Sequence, residues 1–353
     1  MTKENTSSTG AQSQELILYH YKFSPYAKRV VWYLNLRKIP YTQCLQPPIL
    51  PRPDTIALGT HYRRIPILSI GLDIYLDTRL ILSKLEDLYP ASTSYPALSP
   101  SPSDQGLTQL LSIWTIETLF AKAAALIPSD MPLAKDARFR KDREDFSGRS
   151  WDEADRERKR AEALVDIRGA FELLETTFFA DGRDWVLGGE RPGLGDVEGL
   201  FAFVLWGIPT VWPFHWLQTL HGALPPDHIS PAHFPKVFSW ISRFQFHVSS
   251  LASANRPRTI KGDEALRITH AASFAEPSIG VDEQDPSGLR AGERVEVWPT
   301  DSGSAKPHRD RGRLVGLSAK EAVVETEGQG VKGVRVHTPR RGFRVRRLPE
   351  GRL

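Results

Sequence analysis

The sequence predicts a three-part chain: an α/β unit in the first 90 residues, an all-helical middle, and a small all-β module at the C-terminal end. Three patterns carry that prediction. Apolar runs of strand length alternate with helix-spaced stretches up to residue 90. Helical spacing then dominates residues 104–240, and short alternating runs broken by Gly, Pro and Ser follow residue 292. A length of 353 residues suits two or three domains. With 40% hydrophobic residues and nine tryptophans the chain can bury a sizeable core, which excludes disorder over most of its length.

Residues 1–14, rich in Ser, Thr, Gln and Asn without periodicity, are expected to form a disordered leader. Residues 16–21 are a short apolar and aromatic run. Ser24 and Pro25 follow, then Ala27, Val30, Val31 and Leu34 at helical spacing, so strand, turn and helix are expected. Pro40 stops that helix, and residues 41–45 supply a second strand. After a Pro-rich loop, residues 65–70 and 73–76 flank Gly71 as a hairpin. Asp77 and Thr78 then cap a helix with the apolar stripe Leu80, Ile81, Leu85 and Leu88.

Pro90, Pro96, Pro100 and Pro102 mark a linker at residues 91–103. Leu107, Leu110, Leu111 and Trp114 open the helical region at 104–256. Further helices are expected at residues 153–179, 196–205 and 237–251. Acids and bases interleave between residues 138 and 160, as on a solvated helix face. A Pro-, Gly- and Ser-broken linker at 257–289 precedes five short strands within 290–353, which predict a small barrel of SH3-like size.

No run approaches the roughly 20 apolar residues of a membrane span, and residues 1–15 lack the apolar centre of a signal peptide. A cytoplasmic protein without a membrane partner is expected. The single cysteine, Cys44, excludes an intrachain disulfide and a cysteine zinc cage. His215, His228, His233 and His247 have no ligand spacing, so no metal is expected. The net charge of +4 is uneven: residues 286–353 carry +7, and residues 1–285 carry −3.

Residues 19–30, with Phe23, Ser24 and Pro25, resemble the end of the first strand in glutathione transferases of the omega, tau and zeta classes, where the catalytic residue sits. Residues 63–68 resemble the loop whose proline, here Pro66, is cis in that family. Asp77 and Thr78 stand where the family has Glu-Ser or Asp-Ser. Residues 187–196 and 234–240 resemble two segments of the family's all-helical domain, with Gly193 in place of the usual Ser or Thr cap. Over residues 15–252 the resemblance implies a thioredoxin-like α/β domain at 15–90 followed by an all-α glutathione-transferase domain. The added module resembles an extension found on glutathione-transferase-like proteins of filamentous fungi.

The resemblance implies glutathione as co-substrate, an electrophilic apolar small molecule as acceptor, and a homodimer. Glutathione chemistry needs a thiolate, and a thiol near pKa 8.5 is mostly protonated at neutral pH. Ser24, at a helix start, can donate its hydroxyl to the sulfur, or can serve only as a helix cap. A cysteine there would form mixed disulfides, so serine favours conjugation or isomerisation over thiol-disulfide exchange. Tyr19 and Tyr21 are alternative hydroxyl donors or packing residues. Ile65 would pair its main chain with the cysteinyl part, with Pro66 and Phe23 shaping the site. Asp77 and Thr78 would hold the γ-glutamyl end, and Arg63 or Arg64 the glycyl carboxylate.

Trp114, Glu117 and Phe120 are acceptor-site candidates between the domains, and also core candidates. Trp206, Trp212, Phe214, His215 and Trp216 could wall a pocket, a core or a dimer contact. In the tail, Arg340, Arg341, Arg344, Arg346 and Arg347 could meet phosphates, but only Phe343 and Trp298 offer stacking, so nucleic acid is not the expected partner. A non-catalytic interaction protein of the same fold, with its basic barrel as the binding module, is the alternative.

Overall fold

The structure, a computed structural model, describes residues 14–99, 101–128, 132–200, 223–326 and 333–349. The chain runs β1 (Leu16–His20), α1 (Pro25–Leu36), β2 (Thr42–Leu45), α2 (Pro53–Ala57), β3 (Ile67–Ile70), β4 (Asp73–Leu76) and α3 (Thr78–Leu88). The helical part follows with α4 (Pro102–Ile113), α5 (Phe120–Ala125), α6 (Pro132–Lys135), α7 (Ala137–Ser147), α8 (Glu153–Leu173), α9 (Leu194–Leu200) and α10 (Pro235–Ala254). Then come β5 (Arg258–Ile260), α11 (Gly262–Ala271), β6 (Gly280–Val281), β7 (Arg294–Pro299), β8 (Asp310–Leu317), β9 (Glu321–Thr326), β10 (Val334–Pro339) and β11 (Phe343–Arg347).

The first unit is thioredoxin-like. β1 pairs parallel with β2 and antiparallel with β3, and β3 pairs antiparallel with β4. All five residues of β1 and all four of β3 and of β4 are buried, as in a sheet covered on both faces. On one face α1 and α3 bury Val30, Leu34, Ile81 and Leu85, each worth about 1.5–3 kcal/mol when fully withdrawn from water. That same core continues into the helical part through Ile167, Phe171, Trp240 and Phe244. An ionic tie crosses the boundary: Arg29 of α1, 1% exposed, donates to Thr78 Oγ1, to Ser112 Oγ of α4 and to the Glu198 carboxylate of α9.

Gly193 has a structural reason. A Cβ there would lie 2.7 Å from the Leu98 carbonyl oxygen, which accepts a hydrogen bond from Leu194 N. The capping role passes to Asp196, whose carboxylate accepts from Val186 N, Gly193 N and Trp240 Nε1 at 2.8–2.9 Å. Burial pushes the Asp196 carboxyl up to about 6 despite these donors.

The C-terminal module is not the separate appendage that was expected. Its strands continue the thioredoxin-like sheet, because β10 pairs parallel with β4, Val336 opposite Ile74 and His337 opposite Tyr75. The strand order is β11-β7-β8-β9-β10-β4-β3-β1-β2-β5, with β6 beside β8. Residues 257–289, expected as a linker, instead hold β5, α11 and β6. β5 pairs with the outer side of β2, while Ala265, Ile268 and Phe274 pack against the second core beneath the sheet. Both edges of the four-stranded sheet are thereby covered by chain from beyond residue 256, which satisfies backbone groups an open edge would expose. The expected residues Trp206, Trp212, Phe214, His215 and Trp216, and the outer part of the helix expected at 196–205, lie outside the described residues, as do residues 1–13 of the leader.

Candidate glutathione site

Ser24 stands at the N-terminus of α1. Its Oγ accepts from Ala27 N at 3.2 Å, and Pro25 fills the first helical position. Accepting that bond leaves the hydroxyl proton free to be donated, so capping and thiolate stabilisation are compatible in this one side chain. Tyr19 lies in the core beneath the sheet at 1% exposure, with its hydroxyl pKa raised by burial. It is packing rather than a donor at this site.

The Ile65–Pro66 peptide is cis, as expected. Ile65 is 8% exposed, yet among the described residues its main-chain N–H and C=O make no hydrogen bond. On a residue so little exposed, a main-chain donor and acceptor that both lack a partner are uncommon, and these stand just before β3. Asp77, the cap of α3, has φ +66, a left-handed conformation that a residue other than glycine rarely holds. Its carboxylate accepts from Arg79 N, Nε and Nη2 at 3.0–3.1 Å. Burial raises its pKa, and the Arg79 and Arg64 guanidinium groups more than offset that, leaving it below the ordinary carboxylate range. Thr78, 3% exposed, opens α3 and accepts from Arg29.

The two candidate arginines separate. Both guanidinium groups lie over the Phe146 ring, but Arg63 donates to the Asp142 carboxylate of α7 at 2.9 Å. Arg64 lies on the side of the site. The charges of Arg64, Asp77 and Asp301 all act on both the Tyr26 and the Tyr62 hydroxyls, whose pKa values are raised mainly by burial. Tyr26, Tyr62 and Arg79 were not singled out in the sequence. Tyr26 sits two residues after Ser24 inside the same motif, which was the available signal.

The acceptor candidates lie where a π-helical segment, residues 114–119, joins α4 to α5. Such segments are frequent at functional sites. Phe120 packs against Tyr26 with tilted rings, centroids 4.5 Å apart, and Trp114 is partly buried against the core. Glu117 bridges two arginines: Arg79 at 3.4 Å and, from the turn between β10 and β11, Arg341 at 2.7 and 3.0 Å. The Arg341 hydrogen bond is the main cause of the lowered Glu117 pKa.

Extension residues thus reach the site at two places. Arg64 donates to the Ser302 carbonyl at 3.0 Å and to the Asp301 carboxylate. Gly342, at φ +77, packs so close that a Cβ would fall 2.7 Å from Arg79 Nη2. The other four candidate arginines are engaged by chain beyond residue 256: Arg340 with Asp285, Arg346 with Glu296, Arg347 with Glu293, and Arg344 over Trp298. Their charge is largely answered internally, which weakens a phosphate-binding role.

Away from this site, Glu276, Glu321 and His337 offer ligand atoms within 4.8 Å of one another. Lys84 donates to both carboxylates at 2.8 and 2.6 Å, so an ammonium already serves them. Among the described residues no helix is long and apolar enough to cross a membrane.

The fold is glutathione-transferase-like. Residues 18–93 match the family "Glutathione S-transferase, N-terminal domain", and residues 122–253 match a domain of unknown function, DUF7962. A glutathione-transferase-like protein from Pseudomonas syringae is similar over 95% of this chain and all of its own, with TM-score 0.65 and 23% identity. That likeness in fold extends into the C-terminal module. A tau class glutathione S-transferase from mango covers 68% of this chain and 96% of its own at 16% identity and TM-score 0.46. Human glutathione S-transferase T1-1 covers 74% and 93% at 17% and 0.47. No curated protein matches the sequence.

Proposed function

We propose that this protein binds glutathione and adds its sulfur to an electrophilic apolar small molecule, or uses it in an isomerisation. The observation that carries this reading is Ile65: a residue 8% exposed, in the loop just before β3, whose main-chain donor and acceptor have no hydrogen-bond partner among the described residues. The cysteinyl part of glutathione would pair there in strand fashion. Ser24 would donate to the sulfur, with the positive end of α1 favouring the thiolate. Asp77 would take the γ-glutamyl ammonium and the start of α3 its carboxylate, while Arg64 would take the glycyl carboxylate. In conjugation the thiol proton leaves to solvent and the thiolate electron pair forms the carbon–sulfur bond, while the electrophile either releases a leaving group with its bonding pair or, in an addition, breaks its π bond and takes a proton from solvent. Trp114, Glu117 and Phe120 would line the acceptor side.

Calorimetric titration with glutathione tests this reading, beside Ser24→Ala and Asp77→Asn. Binding that Asp77→Asn weakens and Ser24→Ala largely spares supports it, as does a Ser24→Ala loss of turnover of roughly 10²-fold or more against an electrophile panel. Absence of binding at millimolar glutathione removes it. The cover laid over Arg64 and Asp77 favours a second reading, a non-catalytic interaction protein of the same fold. We also read the extension as an SH3-like barrel from its β11-β7-β8-β9-β10 order, and the chain as a cytoplasmic homodimer, which sedimentation analysis would test as to oligomeric state.

A further inference from the structure

The two places where the extension meets the site belong to one piece of chain. The turn after β7 and the turn between β10 and β11 are tied together, because Thr300 N donates to the Gly342 carbonyl at 2.9 Å and Phe343 pairs with Pro299. On the first turn the Asp301 carboxylate and the Ser302 carbonyl take the Arg64 guanidinium, while Gly303 N donates to the Phe146 carbonyl of α7 at 2.7 Å. On the second, Arg341 pairs with Glu117, and Gly342 lies flush on Arg79, the residue that holds Asp77.

We infer that these linked turns form an intramolecular lid that competes with glutathione, with Asp301 standing in for the glycyl carboxylate on Arg64. This rests on the glutathione reading above and goes beyond it to how the site is regulated. The substitution is like for like: an incoming carboxylate replaces the Asp301 carboxylate on the same guanidinium, so no charge is left buried without a partner. The two ion pairs to be broken are of the reversible kind. Asp301 is 68% exposed and Arg341 56%, so water can replace what either loses. A lid of this kind lowers apparent affinity by the fraction of molecules in which it is open, without altering the site beneath.

The test is calorimetric titration of the full-length protein, Asp301→Asn, Arg341→Gln and the double variant with glutathione, with thermal melting as the check of folding. Exposed ion pairs shift such equilibria up to about fivefold, so glutathione should bind about fivefold tighter to each single variant and about tenfold or more to the double variant. Hydrogen exchange at residues 300–304 and 340–343 should quicken when glutathione saturates the unaltered protein. Equal affinity in all four proteins, with those turns unchanged in exchange, overturns the lid and leaves the glutathione site standing. Binding by none of four folded proteins at millimolar glutathione overturns the glutathione reading, and the lid with it.

Discussion

The segment that reaches the site is held at two points only four residues apart, His337 and Arg341, by opposite physics. His337 is 1% exposed, and both its ring nitrogens face carboxylates at 3.0 Å, Nδ1 that of Glu321 and Nε2 that of Asp73. Glu276 adds a third carboxylate, and Lys84 and Arg335 bring two further cations, so the cluster balances only with a charged imidazolium. Burial by itself would lower the His337 pKa, but hydrogen bonds to Asp73 and Glu321 outweigh it and raise the net value. Arg341, by contrast, meets one half-exposed carboxylate in a setting that water and salt can enter. One end of the segment is an anchor and the other a contact that can be exchanged. A rigid sheet can therefore carry a movable turn.

The comparison breaks first at Lys84. Lys84→Met leaves the buried Glu321 and the partly buried Glu276 with one cation fewer, and unfolding in denaturant should show a loss of about 3–5 kcal/mol. A loss below about 1 kcal/mol would mean the anchor is no firmer than the contact. His337→Gln sharpens the contrast through pH. A pKa raised on folding contributes stability that is whole below the ordinary imidazole value near 6.5 and fades as pH rises through the folded value. The gap in stability between the unaltered protein and His337→Gln should therefore be widest below pH about 6.5 and narrow in alkaline buffer. A gap that widened with pH would show the imidazole to be neutral in the fold.

Asp196 runs the same way for another reason. Its carboxyl is raised to about 6 by burial, so the protein should gain stability as pH falls through that value, until other carboxylates protonate; Asp196→Asn should flatten this part of the profile. Smallest is the effect of Arg341→Gln on folding. An exposed pair is worth roughly 0.2–1 kcal/mol, so its melting curve should barely move even where glutathione affinity does. A shift as large as that of Lys84→Met would make the turn part of the anchor.

Ser24, Pro66 and the Asp77–Thr78 pair were legible in the sequence because each is a local device: a helix cap, a turn proline, a strand-to-helix junction. Arg63 and Arg64 were not separable, since adjacent residues in an irregular loop have no periodicity to say which way each points; Asp142 on one side and Asp301 on the other decided it. The gap at 257–289 was missed because Gly and Pro hid a ten-residue helix whose apolar stripe pays off only against the sheet.

By itself the sequence determined most of the elements: where β1, β4 and α3 lie and where α1 begins, that the middle is helical, and that the last stretch is made of short strands. These follow from capping, proline placement and periodicity, which act over a few residues. Tertiary structure alone decided that β10 would join β4, and so where His337, Asp301 and Arg341 would come to rest. Strand pairing across more than 250 residues is chosen by burial and charge balance at the meeting place, and neither partner's own neighbourhood in the chain records that choice.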